Sequence, residues 1–139
     1  MSVGLTRDED RLQRRVVLYI DDDTNALTIH RCLLENAGYF ALTTDNGSDG
    51  LKIFSTGIAD AVILDYAMPL ISGGVVAAQM RRVNGEIPLI LLSGCSTVPD
   101  EDVVLFDHFI FKGCPPGTLL SALDEVLCRQ NRGWSRPES

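Results

Sequence analysis

The sequence predicts a single α/β domain in which a five-stranded parallel sheet carries helices on both faces. Five short apolar runs, at 16–20, 39–44, 61–64, 87–92 and 108–111, alternate with stretches of helical periodicity. The runs are too short for helices and several are rich in β-branched residues, the pattern of strands buried on both faces. Four of the five stop at polar residues: Asp21-Asp22-Asp23, Asp65, Ser93 and Lys112. Right-handed crossovers bring the carboxyl ends of parallel strands to one edge, which is where open sheets bind ligands.

The elements follow in order. Residues 1–14 carry charges of both signs without periodicity and read as a loose arm. Strand 16–20 runs into three aspartates, and Asp23 or Thr24 can cap the next helix. Its stripe is Ala26, Leu27, Ile29, His30, Leu33, Leu34 and Ala37, and Gly38 stops it. After strand 39–44, Asn46-Gly47-Ser48 opens a short helix with Leu51, Ile53 and Phe54 apolar and Gly57 as its stop. Strand 61–64 ends at Asp65. Met68-Pro69 and Ser72-Gly73-Gly74 then turn the chain into a helix through Val75, Val76, Ala77, Ala78 and Met80, ended near Asn84-Gly85. Strand 87–92 delivers Ser93. The segment 96–107 holds Pro99 and four acids, which leaves room for at most two turns of helix, around 102–106. Strand 108–111 leads to Lys112. Pro115-Pro116 then opens the last helix, with Leu119, Leu120, Leu123, Val126 and Leu127 on its apolar face and Pro116 in its first turn, where a missing N–H costs nothing. The domain proper spans 15–130, and 131–139 reads as a polar tail containing Trp134, a candidate for packing back or touching a partner.

Composition narrows the function classes. A net charge of −7 over 139 residues argues against direct nucleic-acid binding, whose domains are usually basic, yet allows an acidic pocket for a cation. No apolar run approaches the ~20 residues of a membrane span, and the polar, mixed-charge N-terminus is unlike a signal peptide. Cys32, Cys95, Cys114 and Cys128 show no CxxC spacing and read as reduced, mostly packed thiols of a cytoplasmic protein. Elsewhere the plain readings suffice. His30 is core-edge packing, and His108 starts a strand without a nucleophile to serve. Arg14-Arg15 and Arg81-Arg82 are solvated faces, and Asp100-Glu101-Asp102 is a solvated acidic loop or a helix start.

The strand tips form a coherent chemical set. Asp21, Asp22 and Asp65 repel one another unless a cation intervenes, and their oxygens suit a hard divalent ion such as Mg²⁺. Lys112 adds a positive charge and Ser93 a neutral donor. One carboxylate surrounded by Mg²⁺, an ammonium and a hydroxyl is suited to receiving a phosphoryl group, with the cations neutralising the equatorial oxygens of the transition state.

Five motifs in order carry a resemblance: Val16-Val-Leu-Tyr-Ile-Asp-Asp-Asp23, Asn46-Gly-Ser-Asp-Gly-Leu51, Asp60-Ala-Val-Ile-Leu-Asp-Tyr-Ala-Met-Pro69, Ile87-Pro-Leu-Ile-Leu-Leu-Ser-Gly94 and Phe109-Ile-Phe-Lys112. Together they resemble the receiver domain of two-component response regulators, from about Val16 to Cys128. The resemblance implies a flavodoxin-like fold of strand order 2-1-3-4-5. It makes Asp65 the acceptor of a phosphoryl group from a histidine kinase's phosphohistidine. Asp21 and Asp22 become the Mg²⁺-holding pair, with Asp22 as the direct ligand, and the backbone carbonyl of Ala67 completes the shell. Ser93 becomes the hydroxyl that meets the phosphoryl group, Lys112 the lysine that pairs with it, and Phe109 the aromatic switch. The implied partners are a sensor histidine kinase or phosphotransfer protein, a downstream protein and, weakly, a second copy of the chain.

The chain also departs from that pattern. Gly113 follows the lysine where the family usually carries proline, and Ser72 replaces an acid in the turn after Met68-Pro69. The interval from Ser93 to Lys112 is short, so the fourth helix is expected to be abbreviated. Phe109 lacks the hydroxyl of a switch tyrosine. Ala67 offers no side chain to orient an attacking water. The leading expectation is a stand-alone, phosphorylatable receiver that is no enzyme beyond its own phosphotransfer and slow autodephosphorylation. The alternative is a pseudo-receiver that binds partners on the same fold without phosphorylation. A phosphohydrolase with an Asp nucleophile is disfavoured, because Ala67 stands where such enzymes place a second acid.

Overall fold

A computed structural model describes residues 14–94 and 97–133, with side chains through residue 128. The five strands are β1 (Val16–Ile20), β2 (Phe40–Thr44), β3 (Ala61–Leu64), β4 (Leu89–Ser93) and β5 (His108–Phe111). They form one sheet in the order β2-β1-β3-β4-β5, every neighbouring pair parallel, as the sequence leads one to expect. The helices between them are α1 (Thr24–Asn36), α2 (Gly47–Phe54), α3 (Gly73–Val83), α4 (Asp100–Val103) and α5 (Pro116–Gly133).

Side chains alternate across each strand, so β1 feeds two cores at once. Val17 and Tyr19 join Ile63, Ile90 and Leu92 under α1 and α5, whose Leu34, Leu119, Leu123 and Val126 close that layer. Leu18 and Ile20 point the other way and meet Phe54 of α2 and Val76, Ala77 and Met80 of α3. Three helix starts are capped by the residues one would choose for it. Asp23 accepts from the amides of Asn25 and Ala26, Asn46 from Asp49, and Ser72 from Val75. Each such cap is worth about 1 kcal/mol.

Several expectations are corrected. β2 starts at Phe40, one residue later than expected, and β4 starts at Leu89, beyond Pro88, which has no N–H to give the ladder. Ile29 and Val75 are exposed, because α1 and α3 rest on the sheet through narrower stripes than their composition suggests. Cys32, Cys114 and Cys128 are free but exposed, lying on solvent-facing turns and helix faces, so the packed-thiol reading fails for them. α5 runs on to Gly133, past the boundary expected at 130. Residues 1–13, Cys95 and Trp134 lie outside the described residues.

The abbreviated fourth helix is a single turn behind Pro99 with no side-chain cap. Its segment is nonetheless fastened to the fold, through a residue assigned above to a solvated face. Arg81 donates from Nε to the Leu105 carbonyl at 2.9 Å and from Nη1 to the carbonyls of Ile87 at 2.6 Å and Gly85 at 2.9 Å. Its Nη2 lies 3.3 Å from Asp107 Oδ2, which also accepts the Leu89 amide at 2.9 Å. Asp102 is likewise no solvated acid: its Oδ2 accepts the Tyr66 hydroxyl at 2.6 Å, and its carboxylate fills the space a Cβ on Gly74 would take. A lysine cannot reproduce the guanidinium fork, so Arg81→Lys is expected to cost about 1–2 kcal/mol. It should also speed amide hydrogen exchange at Leu105 and Asp107 relative to β1; unchanged protection there would contradict the fastening role.

Candidate functional site

Main-chain hydrogen bonds tie the carboxyl end of β1 to those of β2 and β3, and that of β5 to that of β4, while β3 and β4 pair through Leu64 and Leu91. The Asp65 amide donates to Ile20 O at 2.9 Å, the Asp21 amide to Thr44 O at 3.2 Å and the Lys112 amide to Ser93 O at 2.9 Å. The residues following each strand therefore arrive at one edge. The loop after Asp65 is held close by the Gly73 amide, 2.8 Å from Tyr66 O. A Cβ on Gly73 would run into the Asp65 carbonyl, so only glycine permits this approach.

The side chains gathered there are those expected from the strand tips. Asp21, Asp22 and Asp65 each offer a carboxylate oxygen, and these lie within 4.8 Å of one another. Asp21 and Ser93 are fully buried and Asp65 nearly so, while Asp22 is exposed. Lys112 Nζ sits 2.9 Å from Asp21 Oδ2 and 3.6 Å from Asp65 Oδ1. Ala67 lies in the exposed loop beyond Asp65. Phe109, on edge strand β5, is 38% exposed beside the exposed Phe111. The ring of Phe111 lies against Gly113, where a Cβ would meet it at 2.8 Å. No cis peptide bond occurs among the described residues.

The electrostatics follow from burial and proximity. Burial, and then the charge of Asp21, push Asp65 up to about 7, against the opposing pull of Lys112. Burial acts on Asp21 in the same sense. There, however, the hydrogen bonds from Lys112, the Asp23 amide and Tyr19 prevail and hold the carboxyl below its usual range. Burial would lower Lys112, but its bond to Asp21 and the charge of Asp65 keep it above the ordinary lysine value. A pocket of three acids with one ammonium is short of positive charge. That donor set, all oxygen and partly open to solvent through Asp22, fits a hard divalent cation.

Sequence reasoning missed two residues here. Tyr19, fully buried, donates its hydroxyl to Asp21 Oδ2 at 2.7 Å. His30 contacts the Tyr19 hydroxyl through Nδ1 at 3.0 Å, its ring set edge-on to the tyrosine at 87°. The signal was present, since residues two apart in a strand share a face and Tyr19 is the polar-tipped member of an aliphatic run two residues before Asp21.

Comparison with known proteins agrees with this fold. Residues 17–124 match the family model described as the response regulator receiver domain. The "Probable transcriptional regulator ycf27" of Cyanidium caldarium is 33% identical over 116 residues, covering 81% of this chain and 46% of that protein. The chain spans about half the length of the curated relatives of this kind that it matches. Among solved structures, the response regulator TrrA of Thermotoga maritima, crystallised in complex with Mg(2+)-BeF, superposes with a TM-score of 0.78 at 31% identity. The match covers 81% of this chain and 98% of that one. A receiver domain protein of Methanospirillum hungatei shares the fold at a TM-score of 0.80 and 22% identity, over 87% and 99% of the two chains. The chain belongs to the response regulator receiver domain family of two-component signal transduction.

Proposed function

We propose that this domain is a Mg²⁺-dependent phosphorylation switch in which Asp65 is the phospho-acceptor. The observation that carries the reading is the gathering of Asp21, Asp22 and Asp65 around one point with Lys112 already between two of them. A carboxylate oxygen of Asp65 attacks phosphorus, an O–P bond forms, and the N–P bond of the donor phosphohistidine breaks with its electron pair returning to the imidazole. Lys112 pairs with the phosphoryl oxygens and the Ser93 hydroxyl donates to them. Asp21, Asp22, Asp65 and the Ala67 carbonyl would hold Mg²⁺, which supplies charge neutralisation for the phosphoryl oxygens when bound. The donor class is a sensor histidine kinase or phosphotransfer protein. The readout is a protein contact reached through Phe109 and the surface of α4, β5 and α5, rather than nucleic acid, given the net charge of −7. Among the described residues no helix is long and apolar enough to cross a membrane.

Incubation with Mg²⁺ and acetyl phosphate, followed by intact-mass measurement, tests this directly. The wild type is expected to gain one phosphoryl group and Asp65→Asn none. No gain, or an equal gain in the variant, would instead favour a partner-binding module that works without phosphorylation.

A further inference from the structure

Asp21 has no exposure to water, so each of its oxygens must be served by protein donors or by a bound cation. Oδ1 accepts the Asp23 amide at 3.0 Å. Oδ2 accepts two side chains, Lys112 Nζ at 2.9 Å and the Tyr19 hydroxyl at 2.7 Å. These two differ in mobility. Lys112 keeps 23% of its side chain exposed at the end of a flexible stem, whereas Tyr19 is locked in the core between the strands and α1.

The donor accounting at Tyr19 fixes the direction of the whole chain of bonds. A phenol has one proton, and the carboxylate beside it can only accept, so that proton points to Asp21. His30 Nδ1 then faces two acceptors, the Tyr19 oxygen at 3.0 Å and the Ala26 carbonyl at 3.0 Å, and must carry the hydrogen itself. The result is a relay from His30 on α1, through Tyr19 on β1, to Asp21 at the strand tip. A phenylalanine would fill the same apolar site among Val17, Leu34 and Ile63 without any polar demand. The hydroxyl therefore serves Asp21 rather than the core.

We propose that Tyr19 is a positioning residue for the cation site: its hydroxyl, oriented by His30, fixes the Asp21 carboxylate and keeps Oδ2 satisfied when Lys112 leaves it for Asp65. This rests on the phosphorylation-switch reading, because the lysine has reason to leave only when a phosphoryl group arrives. In the resting site, Lys112 is 0.7 Å nearer to Asp21 than to Asp65 (2.9 Å against 3.6 Å). Without Tyr19, drawing the lysine away would strand a buried carboxylate oxygen, so the lysine would be held back.

The test measures Mg²⁺ affinity by calorimetry, in the absence of any phosphodonor, for wild type, Tyr19→Phe and His30→Ala. It also follows the buried Tyr19 hydroxyl proton by NMR during the titration. Loss of an outer partner of a metal-ligating carboxylate is expected to weaken Mg²⁺ binding about tenfold in Tyr19→Phe, with a smaller loss in the same direction in His30→Ala. The hydroxyl resonance, missing in Tyr19→Phe, should shift on saturation of the wild type, a signature that mere core packing would not produce. A change of less than about twofold in Tyr19→Phe, against the tenfold typical of such partners, overturns the inference while leaving the switch reading intact. So does a hydroxyl resonance that ignores Mg²⁺. Failure of the wild type itself to bind Mg²⁺ overturns both.

Discussion

Replacing Lys112 by methionine is expected to destabilise the protein by about 3 kcal/mol at pH 8 in the absence of divalent cations, and by distinctly less at pH 6. The reason lies in what the lysine leaves behind. Its ammonium is 2.9 Å from Asp21 Oδ2 and 3.6 Å from Asp65 Oδ1, and both acids are buried. Methionine fills most of the stem's volume, so the loss is one of charge. Two buried carboxylates then face each other with only neutral donors, and breaking a buried ion pair from one side costs far more than the pair contributes in net stability. Asp65 offers an escape. Burial and Asp21 already lift it to about 7, and removing the opposing cation lifts it further, so by pH 6 it takes a proton and much of the repulsion ends. Urea denaturation at the two pH values checks this, and an equal loss at both would show that the lysine acts by packing. Phosphorylation from acetyl phosphate should fall by at least about a hundredfold in the same variant, because the ammonium that neutralises the transferred oxygens is gone.

The fold was largely legible in the sequence because its signals are local. β1, β3 and β5 announce themselves by short apolar runs, and Asp23, Asn46 and Ser72 mark helix starts with side chains that do cap them. The site was legible for a related reason: in a parallel α/β sheet, position at a strand's carboxyl end is position at the site. What escaped were residues whose roles are set by partners distant in sequence. Arg81 looks like a solvated helix residue until Leu105 and Asp107, more than twenty positions on, come back to its guanidinium. Asp102 looks like a helix start until Tyr66 reaches it across 36 residues. Both misreadings involve the segment 99–107, which holds Asp102 and the partners of Arg81, and where a short interval between strands removes helix periodicity and leaves tertiary contacts to decide the path. The cysteines failed for another reason. Composition alone does not tell which side of a helix a small apolar residue occupies, and Cys32 and Cys128 turn outward.

Asp65→Asn should have the opposite effect to Lys112→Met, raising stability at pH 8 without divalent cations by about 2 kcal/mol. The sign follows from linkage. Asp65 has a usual carboxyl value of 3.8 in the unfolded chain and about 7 in the fold, so between these values the folded protein holds the proton more tightly than the unfolded one. Its contribution to stability is therefore fully present below about pH 4, declines as pH rises, and is lost above about 7. Asparagine has the same shape and no charge to bury, so the variant lacks this decline. The two stability curves should nearly coincide below about pH 4 and separate as the pH climbs from there to about 7, with the variant on top. Mg²⁺ adds a second discrimination. A cation among Asp21, Asp22 and Asp65 favours the ionised form of Asp65, so millimolar Mg²⁺ should recover much of the deficit of the wild type at pH 8 and do much less for Asp65→Asn. Parallel pH curves for the two proteins would mean that Asp65 is ionised without strain. The site would then lack the charge frustration that makes a cation, and a phosphoryl group transferred with its help, welcome there.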